Sequence, residues 1–240
     1  MSNPPPYGYT YSWSYAKPPA RRVTTSRTEI RDIVIAYAVI TLDIILILTG
    51  SSALLGTNGR GLLSSALPLY AAVAATTGFT GFLAHELAHK VVAQRRGYWA
   101  EFRMSTWGLT LSLITSYLAG LLWAIPGATM VGGIGQENRR DWGLTSLAGP
   151  LVNVTFALAF YAAAVATFLA NSWTAPWFLF LAYINGWFGA FNMIPFGPLD
   201  GAKVLRWNAG IWAAAFAGIA VVAAASFLAL FYFQSPFLAW

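Results

Sequence analysis

The 240-residue chain contains no cysteine. Disulfides, thiolate metal ligands and a cysteine nucleophile are thereby excluded, so any bound metal must rest on His, Asp or Glu. Charge is scarce as well: 9% of the residues are charged and 58% are hydrophobic, against about 25% charged in an ordinary soluble domain. There is no internal repeat, no appended charged domain, and no apolar core near the start of the kind a cleavable signal peptide needs.

What remains is long and oily. Tracts without charge run from Gly61 to His85, Met104 to Gln136, Trp142 to Leu199 and Trp207 to Trp240, and each meets or exceeds the ~20 residues that a spanning helix needs. Ile33 to Leu55 adds another, interrupted by Asp43. None of them alternates with period two, which excludes an outer-membrane barrel and leaves helices. The expected fold is an all-α polytopic membrane protein, a bundle of five to six transmembrane helices in a cell membrane.

The formal charge of +6 does not point to nucleic acid, because the Lys and Arg residues stand in short clusters beside the apolar tracts, where they set orientation. Residues 1–32, Pro- and Tyr-rich at their start, are expected to be a disordered cytoplasmic tail, and residues 33–240 the membrane domain, with its core at 62–206. Lys17, Arg21, Arg22, Arg27 and Arg31 argue for a cytoplasmic N-terminus. A straight crossing by Leu109 to Val131 leaves nine basic residues inside and five outside; a re-entrant or hairpin path leaves thirteen and one, which the positive-inside rule favours. Gly120, Pro126, Gly127, Gly132 and Gly133 punctuate that stretch as breakers do.

Into this lipid-matched chain the run FLAHELAHKVV, Phe82 to Val92, places two histidines and a glutamate. Ionisable groups cost at least a few kcal/mol each in hydrocarbon, so such a cluster is a functional-site hypothesis by default. His85 and His89 are four apart and share one face of a helix; Glu86 is one step round. The spacing H-E-x-x-H is that of zinc peptidases, in which the metal acidifies a water molecule and the carboxylate takes its proton. These are the only two histidines in the chain, so a three-ligand catalytic site needs a carboxylate. Asp43 and Asp200 are the candidates in apolar surroundings. The re-entrant topology puts Asp200 on the side of His85 and His89, although Asp-Gly before AKVLRW also suits a helix N-cap.

Three blocks in matching order resemble the site-2 protease family of intramembrane zinc metalloproteases, peptidase family M50: HELAH at His85 to His89, AGPLVN at Ala148 to Asn153 and NMIPFGPLDG at Asn192 to Gly201. The resemblance implies zinc bound by His85, His89 and Asp200, Glu86 as general base, and Asn153 and Asn192 as polar groups near the cleaved bond. It further implies transmembrane protein substrates, and an embedded hairpin after the zinc helix, for which Leu109 to Val131 is the candidate. No PDZ or nucleotide-sensing CBS domain is seen, as in minimal prokaryotic members. A non-catalytic homologue that binds metal or transmembrane helices is the rival reading.

Overall fold

The computed structural model describes residues 22–51, 62, 64–122, 126–132 and 138–232. The tail to residue 21, the loop with Arg60, and Gly133 lie outside the described residues. Helix α1 (Arg27–Leu48) begins inside the stretch assigned to the tail, because Ser26 caps it: the Glu29 N–H donates to Ser26 Oγ at 3.1 Å. A second rod runs through α2 (Leu67–Thr77), a π-helical turn (Gly78–Leu83) and α3 (Ala84–Arg95). Strand β1 (Trp99–Met104), helix α4 (Thr106–Ala119) and strand β2 (Gly127–Gly132) follow. The chain continues through α5 (Arg139–Leu169), α6 (Ala175–Asn192), α7 (Asp200–Trp207) and α8 (Ala209–Tyr232).

Among the described residues, three helices are long and apolar enough to cross a membrane: Leu67–Arg95, Arg139–Leu169 and Ala209–Tyr232. That is fewer than the expected five to six. Charge and polarity explain the difference, since α1 carries Glu29, Arg31, Asp32 and Asp43, and the 18 residues of α6 mix Asn185, Gly186 and Gly189 into their apolar run.

The stretch from Leu109 to Val131 also departs from the simple expectation of a hairpin. Its first part is helix α4, started by Ser105, whose Oγ accepts from the Gly108 N–H, and ended by Gly120 in the left-handed region at φ 66°. Its last part is β2, which pairs antiparallel with the upstream strand β1 in the register Trp99↔Gly132 to Met104↔Gly127. Because Met104 and Gly127 are partners, the chain leaves and returns at one level. The excursion therefore starts and ends at one end of the ribbon, with a helix inside it and half of its ribbon contributed from before it.

Two groups of contacts seat this ribbon. Phe102, 1% exposed, packs with Ile40, Ala74 and Phe82 in a core shared by α1, the second rod and β1. At the turn after α3, the Tyr98 hydroxyl donates to Asp141 Oδ2 at 2.8 Å, and Arg96 pairs with the same carboxylate. Burial and the Asp141 carboxylate push the Tyr98 phenol up from its ordinary value. The N-terminus of α5 is thus tied to the ribbon. Helices α5, α6 and α8 form the rest of the bundle, with Leu147, Met193, Val204 and Ile219 clustered where α7 joins it.

Candidate metal centre

The spacing of four puts His85 and His89 on one face of α3, where both are buried. Asp200 arrives from α7. It is the first residue of that helix and not its cap, since Leu199 occupies the cap position and makes no side-chain capping bond. Gly201 makes the approach possible: a Cβ there would run into the backbone of Met193 and Ile194 at the end of α6. Asp200 Oδ2 stands 3.3 Å from His85 Nε2 and 3.0 Å from His89 Nε2, and the two Nε2 atoms are 2.9 Å apart. Among the described residues these three form the group that could hold a metal ion.

The hydrogen bonds behind the group decide which ring nitrogens face it. Asn153 Nδ2 donates to the carbonyl oxygens of Thr80 and Gly81, at 3.3 and 2.9 Å, so its Oδ1 is turned to His85 Nδ1 at 2.6 Å. An amide oxygen only accepts, and His85 Nδ1 must therefore carry the proton. His89 Nδ1 lies 2.7 Å from the Thr145 carbonyl oxygen, with the same consequence. The Nε2 atoms are thus the ones turned toward each other and toward the Asp200 carboxylate. Burial alone would raise the Asp200 carboxyl, but the imidazoles of His89 and His85 outweigh it and hold the group well below the usual carboxylate range.

With both Nδ1 atoms engaged elsewhere, the two Nε2 atoms and the carboxylate converge as a set of two imidazoles and one carboxylate, which suits zinc. The space is kept open from behind by Gly149 of α5, where a Cβ would come within 2.5 Å of His89 Nε2 and 2.6 Å of His85 Nε2. The residues thus fit the implied ion. Glu86, Asn192, Trp142 and Lys203 line the adjoining cavity of about 220 Å³, together with residues 126–129 and Val131 at β2.

Of the other expected residues, Asn153 is fully buried and both of its amide protons go to the π-helical turn. Its Oδ1 faces His85 Nδ1 and so orients that ring. Asn192 lines the cavity and spends one donor on the Phe188 carbonyl. Asp43 lies outside the metal group, fully buried and facing the hydroxyls of Ser112 and Ser116 of α4.

Sequence reasoning did not single out Thr129, Gly149 or Lys203. The Thr129 N–H donates to Glu86 Oε2 at 2.7 Å and its hydroxyl to the Glu86 carbonyl at 2.9 Å. Lys203 Nζ donates to Asp200 Oδ1 at 3.3 Å and stands 5.7 Å over the Trp142 ring. Gly149 and Lys203 left traces in the sequence, the first within the AGPLVN block and the second one helical turn after Asp200.

Comparison with curated proteins finds Putative zinc metalloprotease MJ0611 of Methanocaldococcus jannaschii, 39% identical over 137 residues, a match covering 56% of this chain and 69% of the relative. Putative zinc metalloprotease Rip3 of Mycobacterium tuberculosis is 30% identical over 132 residues, 52% of this chain and 28% of the relative. No protein-family profile matches the chain, and no solved structure does.

Proposed function

The chain belongs to the family of Putative zinc metalloprotease MJ0611, and from that premise we propose that it is an intramembrane zinc endopeptidase of the site-2 protease type. It cuts transmembrane protein substrates within or near their membrane segments. The observation that carries the reading is the convergence of His85 Nε2, His89 Nε2 and Asp200 Oδ2 with both Nδ1 atoms already engaged. Bound there, zinc supplies the Lewis acid that brings the pKa of a water molecule to about 7 and polarises the scissile carbonyl.

The remaining work falls to the chain itself. Glu86 Oε2 is held by the Thr129 N–H, leaving Oε1 to take the proton from the attacking water and pass it to the departing amine. Among the described residues, strand β2 pairs with β1 alone and its residues line the cavity beside Glu86, so an extended substrate can lie against it. That keeps a peptide bond unwound beside the metal. Phe188, Phe191 and Leu199 offer apolar walls for the flanking side chains. Asn192 retains one amide proton for the carbonyl oxygen as charge develops. We place the N-terminus and the metal end of the bundle on the cytoplasmic side by the positive-inside rule, with α1 and α6 as further spans.

The test is Glu86→Gln in purified protein reconstituted in lipid with a single-span substrate. Loss of the base lowers the cleavage rate by about 10² to 10⁴, while zinc content stays at the parental level. Parental cleavage by Glu86→Gln would exclude this mechanism and leave a metal-binding protein without this chemistry.

A further inference from the structure

The general base is held from outside its own helix, and the holding contact can be traced back to a buried ion pair. Lys90 is 2% exposed and Glu29 is 0% exposed; they meet at 2.6 Å, with Lys90 also donating to Thr25 Oγ1 at 2.7 Å. The other Glu29 oxygen, Oε1, accepts the Phe102 N–H of β1 at 3.0 Å. Phe102 is the ladder partner of Thr129, and the Thr129 N–H is the donor to Glu86.

The ladder's parity explains why both N–H groups are available. Ser105 N donates to Pro126 O at 2.9 Å, making that a hydrogen-bonded pair. Pairs alternate along an antiparallel ladder, so Met104↔Gly127 and Phe102↔Thr129 are the non-hydrogen-bonded kind, whose N–H groups point away from the ribbon. The Ala100 carbonyl, by the same parity outward, is taken by Gln94 Nε2 at 2.7 Å. One rung of the ribbon therefore reaches from a glutamate on α1 to a glutamate on α3. Lys90 follows Glu86 by four residues, on the same face of α3, and this closes a ring: Glu86, Thr129, Phe102, Glu29, Lys90.

We propose that the Glu29–Lys90 pair is a positioning device for Glu86, acting through the Phe102–Thr129 rung. The inference rests on the reading of Glu86 as general base. A buried pair of this kind is poor evidence for stability, because two charges must be desolvated to form it. Its three named contacts instead set the height of the ribbon against α3, and with it the aim of the Glu86 carboxylate.

The ring can be cut at two separate places in the full-length protein. Thr129→Pro deletes one outward N–H and leaves the ladder bonds intact, since proline is tolerated at an edge position whose N–H does not serve the ladder. Glu29→Gln combined with Lys90→Met removes the pair without stranding a buried charge. Each is expected to lower kcat by about 10-fold or more, the scale of loss for a misplaced catalytic group, with KM and zinc content near the parental values. The combined variant loses no more than the worse of the two, because both cuts sever one path. Thr129→Val, which keeps the N–H and gives up only the hydroxyl bond to the Glu86 carbonyl, is expected to lose less than Thr129→Pro.

Parental kcat in Glu29→Gln/Lys90→Met, multiplying losses in the combined variant, or loss of zinc in step with activity would overturn the proposal. If the double variant fails to fold, Thr129→Pro set against Thr129→Val still decides: equal rates in the two refute it. Glu86→Gln assayed alongside separates the two levels. Activity there defeats the peptidase reading, whereas an inactive Glu86→Gln beside a fully active pair variant defeats only the positioning role.

Discussion

The two ends of the bundle bury similar apolar helices and differ in what they do with polar groups. At the metal end, His85, His89, Lys90, Gln94, Asp141, Asn153 and Asp200 are all buried, and their partners come from other elements at distances of 56 to 73 residues in sequence for the contacts of His89, Lys90, Gln94 and Asn153. At the opposite end, Ala164, Leu179 and Leu230 pack with Tyr161, Phe178 and Phe180, and Phe156, Phe160 and Phe178 stand in a stacked series. Polar contacts there are local, such as Ser172 with Thr174 and Thr167 with the Ala163 carbonyl. Directional bonds between distant elements fix atoms to a fraction of an ångström; apolar packing fixes only volume. Chemistry sits at the end where positions are specified by direction.

Substitutions on the two sides should separate metal binding from stability. The largest effect is expected at Gly149. Gly149→Ala puts a methyl group against both Nε2 atoms, and the purified variant should hold no zinc by elemental analysis and should not cleave substrate. An intermediate effect is expected at Asn153, where alanine removes the acceptor that fixes His85. Zinc affinity measured by chelator competition should fall by about 10- to 100-fold. The smallest effect on the metal is expected at the far end. Leu179→Ala should cost on the order of 2 kcal/mol of stability in denaturation while zinc affinity stays within about twofold of the parent, because the sites share no partners. Zinc loss in Leu179→Ala equal to that in Asn153→Ala would abolish the distinction between the ends.

Much of the metal group was legible in the chain. His85 and His89 are bound to share a face by helical geometry alone, and with no cysteine and no third histidine the third donor had to be Asp43 or Asp200. Hydropathy told helices from strands in the long tracts and marked most of α1 at Ile33 to Leu55, yet it missed the charged start of α1 and missed β1 altogether. Six residues between two helices carry too little pattern to be read as a strand, and its partner lies beyond an entire helix. Asn153 was legible as a buried amide of importance but not in its role, since an amide between helices looks the same in sequence whichever group it faces.

The chain by itself determined that any bound metal would have to be held by imidazole and carboxylate among apolar helices, because those properties follow from residue type and local period. Tertiary structure alone decided that Asp200 and not Asp43 completes the group, that Gly149 leaves the room, and that Thr129 holds Glu86. Each of these is a meeting of elements far apart in sequence, and the direction of a hydrogen bond or the absence of a Cβ at a contact has no periodicity for a sequence to display.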